Sequence, residues 1–311
     1  MKIITLTLNP AFDMHCFTKS FAPYHENRAE VTALEAGGKG VNISRALTVH
    51  GVDNLALVVL GDENGDSFRR ALTADGIKTL AIELKGRIRE NITLHTENAP
   101  ETRISFRGFS ADASLFSRVT EALDGMIDAD TVVTFTGSLP SGVGVAEAKA
   151  MLSAMKAKGA KIVIDSRSFS LSDISDVHPW LIKPNEEEIA FYSDLPVTDL
   201  ASAAEAAKTL RAVVAENVMI SLGGKGATLA SADGVYAANA PKIEVLSTIG
   251  AGDSSIAGFL AAAKEGLSYP EMLRRAVCYG SSACTTEGTR PPERATTEAL
   301  LETVKVTKIE L

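Results

Sequence analysis

The chain has 311 residues, enough for one large α/β domain or two smaller ones. Hydrophobic residues make up 45% and charged residues 23%, an ordinary globular mix, and the net charge of −8 argues against nucleic acid as the main partner, since phosphate backbones are bound through excess Lys and Arg. The three cysteines, Cys16, Cys278 and Cys284, include no CxxC pair, which argues against a disulfide scaffold and for reduced thiols in a cytoplasmic protein.

In chain order, the opening MKIITLTLNP is too short and too soon interrupted for a signal-peptide h-region. It reads instead as a first strand, KIITLTL (Lys2 to Leu8). Similar near-continuous apolar runs follow at NLALVVLG (Asn54 to Gly61), TVVTFTG (Thr131 to Gly137), AKIVIDS (Ala160 to Ser166), WLIKPN (Trp180 to Asn185) and NVMISLG (Asn217 to Gly223). Strands covered on both faces have this pattern. Between them lie helical patterns such as GVNISRALTVHG, DSFRRALTADG and VAEAKAMLSAMKAKG, ending in the glycine that helix C-termini favour. The alternation predicts an α/β fold with a doubly wound, mostly parallel sheet flanked by helices and ligands at the carboxyl ends of the strands.

Two stretches, about 12–34 and 87–109, break the rhythm. In RIRENITLHT, Arg87, Arg89, Asn91, Thr93 and His95 alternate with apolar or acidic neighbours, and in TRISFRG, Arg103, Ser105 and Arg107 alternate with Ile104 and Phe106. Period 2 places each set on one strand face, so a small antiparallel sheet outside the core is expected, apolar on one face and cationic on the other. The whole chain, 1–311, is read as a single domain with these stretches inserted. No run approaches the ~18 apolar residues that span a membrane, so no membrane partner is expected. The sequons at Asn42 and Asn91 are incidental in a cytosolic chain.

Several nucleotide and catalytic motifs are missing: no Walker A loop, no GxGxxG after the first strand, no HExxH and no GxSxG. Four other stretches carry chemistry. TLNPAFD sets Asp13 just beyond the first strand, where an acceptor suits sugar hydroxyls, although alone it reads as a solvated loop residue. AGGKGVNISRAL (Ala36 to Leu47) is a glycine turn entering a helix with Lys39 and Asn42, and three glycines around a lysine suggest close approach of a polar ligand to the backbone. KPNEEEI offers Asn185 and Glu188, hard oxygen donors suited to Mg²⁺ and its waters, or else an acidic first helical turn. STIGAGDSSIAGFLAAAKEG (Ser247 to Gly266) places Gly250, Ala251 and Gly252 before a helix, where free amides and the helix dipole attract phosphate. Asp253 would repel that phosphate, so its carboxylate makes sense as a base for an attacking hydroxyl. Local sequence alone favours a helix cap; the other motifs reverse that preference.

AGGKGVNISRAL and STIGAGDSSIAGFLAA resemble the two signatures of the PfkB branch of ribokinase-like sugar kinases, and FTGSLPSGV, LIKPNEEEI and SLGGKGATL fall between them in the family's order. The resemblance runs from about Thr5 to Gly288. TLNPAFD, GGKG and TGSLP look most like the subgroup that phosphorylates sugar phosphates, 1-phosphofructokinase and tagatose-6-phosphate kinase. It implies an ATP- and Mg²⁺-dependent kinase, most simply of fructose 1-phosphate, with tagatose 6-phosphate as the close alternative and a non-catalytic sugar- or nucleotide-binding regulator as the rival from another class. By the same resemblance, Asp253 would be the base and Gly250, Ala251 and Gly252 the anion hole. Asp13, Gly38, Lys39 and Asn42 would hold the sugar, with Arg89, Asn91, Arg103 and Ser138 near its existing phosphate. Lys183, Asn185 and Glu188 would face the ATP phosphates and Mg²⁺, the metal through water, while Ser221, Gly223, Gly226 and Thr248 would line the nucleotide site. The inserted stretches would form a lid, through which a homodimer is also expected. Two departures stand out: Thr93 where the subgroup often has Lys, and DSRSFS (Asp165 to Ser170) in place of a DSSG-like run.

Overall fold

A computed structural model describes residues 1–192 and 197–311. The chain runs β1 (Lys2–Thr7), β2 (Ala11–Phe17), β3 (Glu30–Gly37), α1 (Lys39–Val49), β4 (Leu55–Gly61), α2 (Gly65–Ala74), β5 (Thr79–Leu84), β6 (Arg89–His95), β7 (Thr102–Ile104), α3 (Ser114–Ala122), β8 (Thr131–Thr136), α4 (Val145–Ala157), β9 (Lys161–Asp165) and α5 (Leu171–Val177). It continues through β10 (Leu181–Ile182), α6 (Glu186–Tyr192), α7 (Leu200–Val213), β11 (Val218–Ser221), β12 (Ala227–Ser231), β13 (Gly234–Ala238), α8 (Ala251–Lys264), α9 (Tyr269–Ala283), α10 (Arg294–Leu301) and β14 (Val306–Ile309).

Ten strands form one sheet in the order β14-β13-β12-β11-β10-β9-β8-β1-β4-β5. From β11 to β5 every neighbouring pair is parallel. The β11-β12, β12-β13 and β13-β14 pairs are antiparallel. The apolar runs have the expected cause. On β1, Ile3 packs into one buried cluster with α1, α8 and α9, while Ile4 and Leu6 pack into another with α2, α3, α4 and α7. Val132 and Val133 of β8 divide the same way, because successive side chains of a strand point to opposite faces.

From β1 the chain winds outward through β4 and β5, then resumes on the other side at β8. A crevice at the carboxyl ends follows from that reversal, the usual place for ligands in such sheets. The second sheet, β3-β2-β6-β7, stands beside it. It departs from the fully antiparallel arrangement expected, since β2 and β6 pair in parallel. The reason is topological: each follows a parallel core strand, β1 or β5, and so leaves the main sheet heading the same way. Among the described residues no helix is long and apolar enough to cross a membrane.

Candidate active site

Thr7, Thr136 and Asp165 end β1, β8 and β9, and all three line a cavity of about 650 Å³ at the crevice. The second sheet forms its opposite wall. There Asp13 and Asn91 are register partners on β2 and β6, and Asn91 Nδ2 donates to Asp13 Oδ1 at 3.1 Å. Burial pushes the Asp13 carboxyl above its ordinary value, against that bond and the charges of Arg103, His15 and Arg89.

In the glycine turn before α1 the backbone closely approaches the protein's own chain. A Cβ on Gly37 would collide with the Asp13 carboxylate, and one on Gly40 with the Thr7 hydroxyl and, at 2.6 Å, the Leu6 carbonyl. Gly38 has φ 125°, outside the range of ordinary side chains. These glycines admit the protein's own chain, which lets α1 begin directly on the end of β1. That placement aims Lys39 and Asn42 into the cavity.

At α8 the N-cap is Gly250, with φ 76°, and no side chain caps the helix. The first regular bond in the turn is Ser254 N to Gly250 O at 2.8 Å, so the amides of Ala251, Gly252 and Asp253 precede the helical ladder. Asp253 therefore sits inside the first turn rather than at the cap. Its carboxylate, 6% exposed, accepts from Asn42 Nδ2 at 2.9 Å. Burial raises its pKa to about 6, assisted by Asp165 and opposed by Lys39, Asn42 and Lys183.

Asp165 lies beneath this turn. Lys39 Nζ donates to its Oδ2 at 3.0 Å. Burial acts to raise the Asp165 pKa, but the Lys183 and Lys39 ammoniums outweigh it and hold the carboxyl below its ordinary value. In turn Asp165 and Asp253 hold Lys39 charged, above its ordinary pKa despite burial. Lys183 is buried, and its Nζ would lie 3.1 Å from a Cβ on Gly252. A buried ammonium beside the positive end of a helix is unfavourable by itself. The pair suits an anion between them.

Arg89 and Ser138 line the same cavity, as do Arg103, Thr248 and the Asn185–Glu188 turn. Arg89 is already engaged: Nη2 donates to the Asn9 carbonyl at 3.1 Å, and Nε and Nη1 donate to those of Pro10 and Phe106 at 3.4 Å. Arg103 is exposed. Glu188 accepts from Arg167 Nε at 3.1 Å on Oε1 and from Asn185 N at 3.1 Å on Oε2, while Glu188 N donates to Asn185 Oδ1 at 2.8 Å. A second cavity of about 200 Å³ adjoins the first, sharing Thr248 and Gly252 with it. Ser221, Gly223, Gly226 and Ala251 line this smaller space, with Ile243, Val245 and Val277. The sequence-predicted residues thus gather around two joined cavities, one polar and one largely apolar, meeting at the start of α8.

Sequence reasoning missed several cavity residues. Thr7 Oγ1, Asn9 Oδ1 and Thr136 Oγ1 are buried without a hydrogen-bond partner among the described residues, a condition that costs roughly 1–3 kcal/mol per group unless a ligand or water satisfies it. Asp165 and Arg167 belong to DSRSFS, noted only as a departure. Their signal was position: each stands at or just past the carboxyl end of a parallel strand.

Three comparisons agree with this architecture. Residues 8–296 match the pfkB family carbohydrate kinase pattern. The 1-phosphofructokinase of Bacillus subtilis (strain 168) is 33% identical over 307 residues, covering 99% of this chain and all of that protein. The 1-phosphofructokinase of Escherichia coli (strain K12) is 32% identical over 83% of each chain. The crystal structure of phosphofructokinase-2 from Escherichia coli in complex with substrates and products superposes with a TM-score of 0.91, at 27% identity, over 97% of this chain and 99% of that one. The chain belongs to the pfkB family of carbohydrate kinases, phosphotransferases that act on a sugar hydroxyl.

Proposed function

We propose that this kinase transfers the terminal phosphoryl group of ATP to the 6-hydroxyl of fructose 1-phosphate, giving fructose 1,6-bisphosphate and ADP. The observation that carries the chemistry is Asp253: a buried carboxylate, bonded to Asn42, that lines the larger cavity in the first turn of α8, beside the Gly252 shared with the smaller one. A pKa of about 6 leaves it ionised at neutral pH yet able to take a proton. The hydroxyl proton passes to Asp253 as the sugar oxygen bonds to the γ-phosphorus and the bond to the ADP oxygen breaks. Charge on the transferring group is met by the amides of Ala251 and Gly252 and by Lys183. Asp13, Gly38, Lys39 and Asn42 orient the sugar, and Arg89, Asn91, Arg103 and Ser138 border its 1-phosphate. The adenine takes the smaller cavity, with Ser221, Gly223, Gly226 and Thr248.

Mg²⁺ fits at Asn185 and Glu188 only as an ion carried mainly by phosphate oxygens and water. Each Glu188 oxygen already accepts one hydrogen bond and keeps a lone pair for a metal-bound water, and no group of three or more His, Cys, Asp or Glu suited to a metal occurs among the described residues. When bound, the ion would neutralise charge between the β- and γ-phosphates. The second sheet would act as the lid of one domain spanning 1–311, closing over the sugar to exclude water. Its outer face exposes Leu34, Ile104 and Phe106, apolar surface suited to a homodimer. Support for fructose 1-phosphate comes from the named relatives. The test is a product assay of purified protein with Mg²⁺, ATP and a panel of fructose 1-phosphate, fructose 6-phosphate, tagatose 6-phosphate and fructose; preference for any of the last three overturns the assignment.

A further inference from the structure

Arg167 has no part in the mechanism above, yet its side chain lines the catalytic cavity. Two residues beyond the end of β9, it is 67% exposed, while the Glu188 carboxylate it touches is 9% exposed. Among the described residues only its Nε is hydrogen-bonded, and its Nη2 stands 3.6 Å from Glu187 Oε2. An arginine has five N–H donors, so most of this fork is left for something else. Two other cations of the cavity are more committed: Lys39 to Asp165, and Arg89 to three carbonyls.

Its location separates it from the sugar end. Glu188 lies in the first turn of α6, the helix that follows β10, and Asn185 is bridged to Ser221, which lines the smaller, apolar cavity. Arg89 and Arg103 project from the second sheet at the opposite wall. An anion that reached Arg167 would therefore also be near Glu188 and would lead towards the smaller cavity. A triphosphate whose base occupies that cavity has this shape, and a planar guanidinium binds phosphate oxygens two at a time.

We infer that Arg167 binds the β- and γ-phosphates of ATP, holding them through donors that Glu188 leaves free, and so supplies affinity for the nucleotide even before a metal arrives. The inference rests on the nucleotide site proposed above. Its arginine would serve two partners at once, keeping Glu188 oriented through Nε while its outer edge takes phosphate.

Calorimetric binding with the full-length protein tests it, using ATP in excess EDTA, adenosine and fructose 1-phosphate as separate probes. Arg167→Ser should weaken metal-free ATP by roughly 10–100-fold, the worth of a charge-assisted pair, and leave adenosine and fructose 1-phosphate unchanged. Arg167→Lys should recover only part of the loss, because a point charge replaces a fork. Placing Arg167→Ser in a Glu188→Gln background removes the repulsion left by an unpaired Glu188. Continued loss of ATP affinity there supports direct contact, whereas no loss there means Arg167 acts only by neutralising Glu188 and overturns the inference. It is equally overturned if fructose 1-phosphate weakens while ATP does not. Failure of the wild type to bind either adenosine or ATP sinks the nucleotide site itself; binding of both with Arg167→Ser indistinguishable sinks only the role of Arg167.

Discussion

The substitution Asp253→Asn should push activity and stability in opposite directions. In the folded protein the carboxyl is raised from its ordinary 3.8 to about 6, chiefly by burial. At 1.36 kcal/mol per unit, that shift makes the ionised side chain cost about 3 kcal/mol of folding stability. The sign follows from proton counting. Between roughly pH 4 and 6 the native state holds a proton that the unfolded chain has lost, so this group disfavours folding increasingly as pH rises, with the full cost present above about pH 6. The neutral amide of the variant would escape that cost and still accept the bond from Asn42. At pH 8 the variant should therefore resist thermal or urea unfolding better than wild type, by up to about 3 kcal/mol. General-base loss should meanwhile lower kcat by ~10²–10⁴-fold. A coupled ADP-release assay between pH 5 and 8.5 completes the test, and wild-type kcat/KM should fall about tenfold per pH unit below about 6. Near wild-type turnover by the variant, or a flat wild-type profile across that range, refutes the assignment of Asp253 as base.

Arg103→Ala should lower kcat/KM for fructose 1-phosphate by roughly 10–100-fold, with ATP affinity and weak turnover of fructose kept; equal loss with both sugars means the arginine merely solvates the sheet. Arg89→Ala should add a stability loss of about 1–3 kcal/mol, because it also unpairs the Asn9, Pro10 and Phe106 carbonyls, and an unchanged melting temperature contradicts that clamp. Glu188→Gln should raise the Mg²⁺ concentration for half-maximal rate and leave sugar binding nearly unchanged, whereas an unaltered Mg²⁺ dependence reduces the acidic run to helix-end electrostatics. Gly40→Ala should destabilise by roughly 1–3 kcal/mol through collision with Thr7 and Leu6, measurable by urea unfolding; a neutral result means that α1 can lift from β1.

Six of the ten main-sheet strands, β1, β4, β8, β9, β10 and β11, were legible because burial on both faces leaves an apolar run that little else produces, whereas β5, β12, β13 and β14 were not. The GAGD turn was legible because a left-handed residue at Gly250 and a helix start without a side-chain cap need almost no side chains. Strand β10, drawn from WLIKPN, shrank to Leu181–Ile182 because the chain turns at Pro184 into α6, where Asn185 Oδ1 accepts from Glu188 N. Direction of pairing was not legible: the antiparallel edge of β12, β13 and β14, and the parallel β2-β6 pair, follow from where each strand leaves its predecessor. Nor were the glycines of the α1 turn, whose composition suits a bound ligand and the protein's own Asp13 and Thr7 equally well. Above all, folding alone could join Asn42 to Asp253 and Lys39 to Asp165. Sequence determined which side chains stand at strand ends and helix starts, since those are local matters of pattern. Only the tertiary structure decided their ionisation, because a carboxylate's proton affinity depends on how much water is removed and which charges, distant along the chain, replace it.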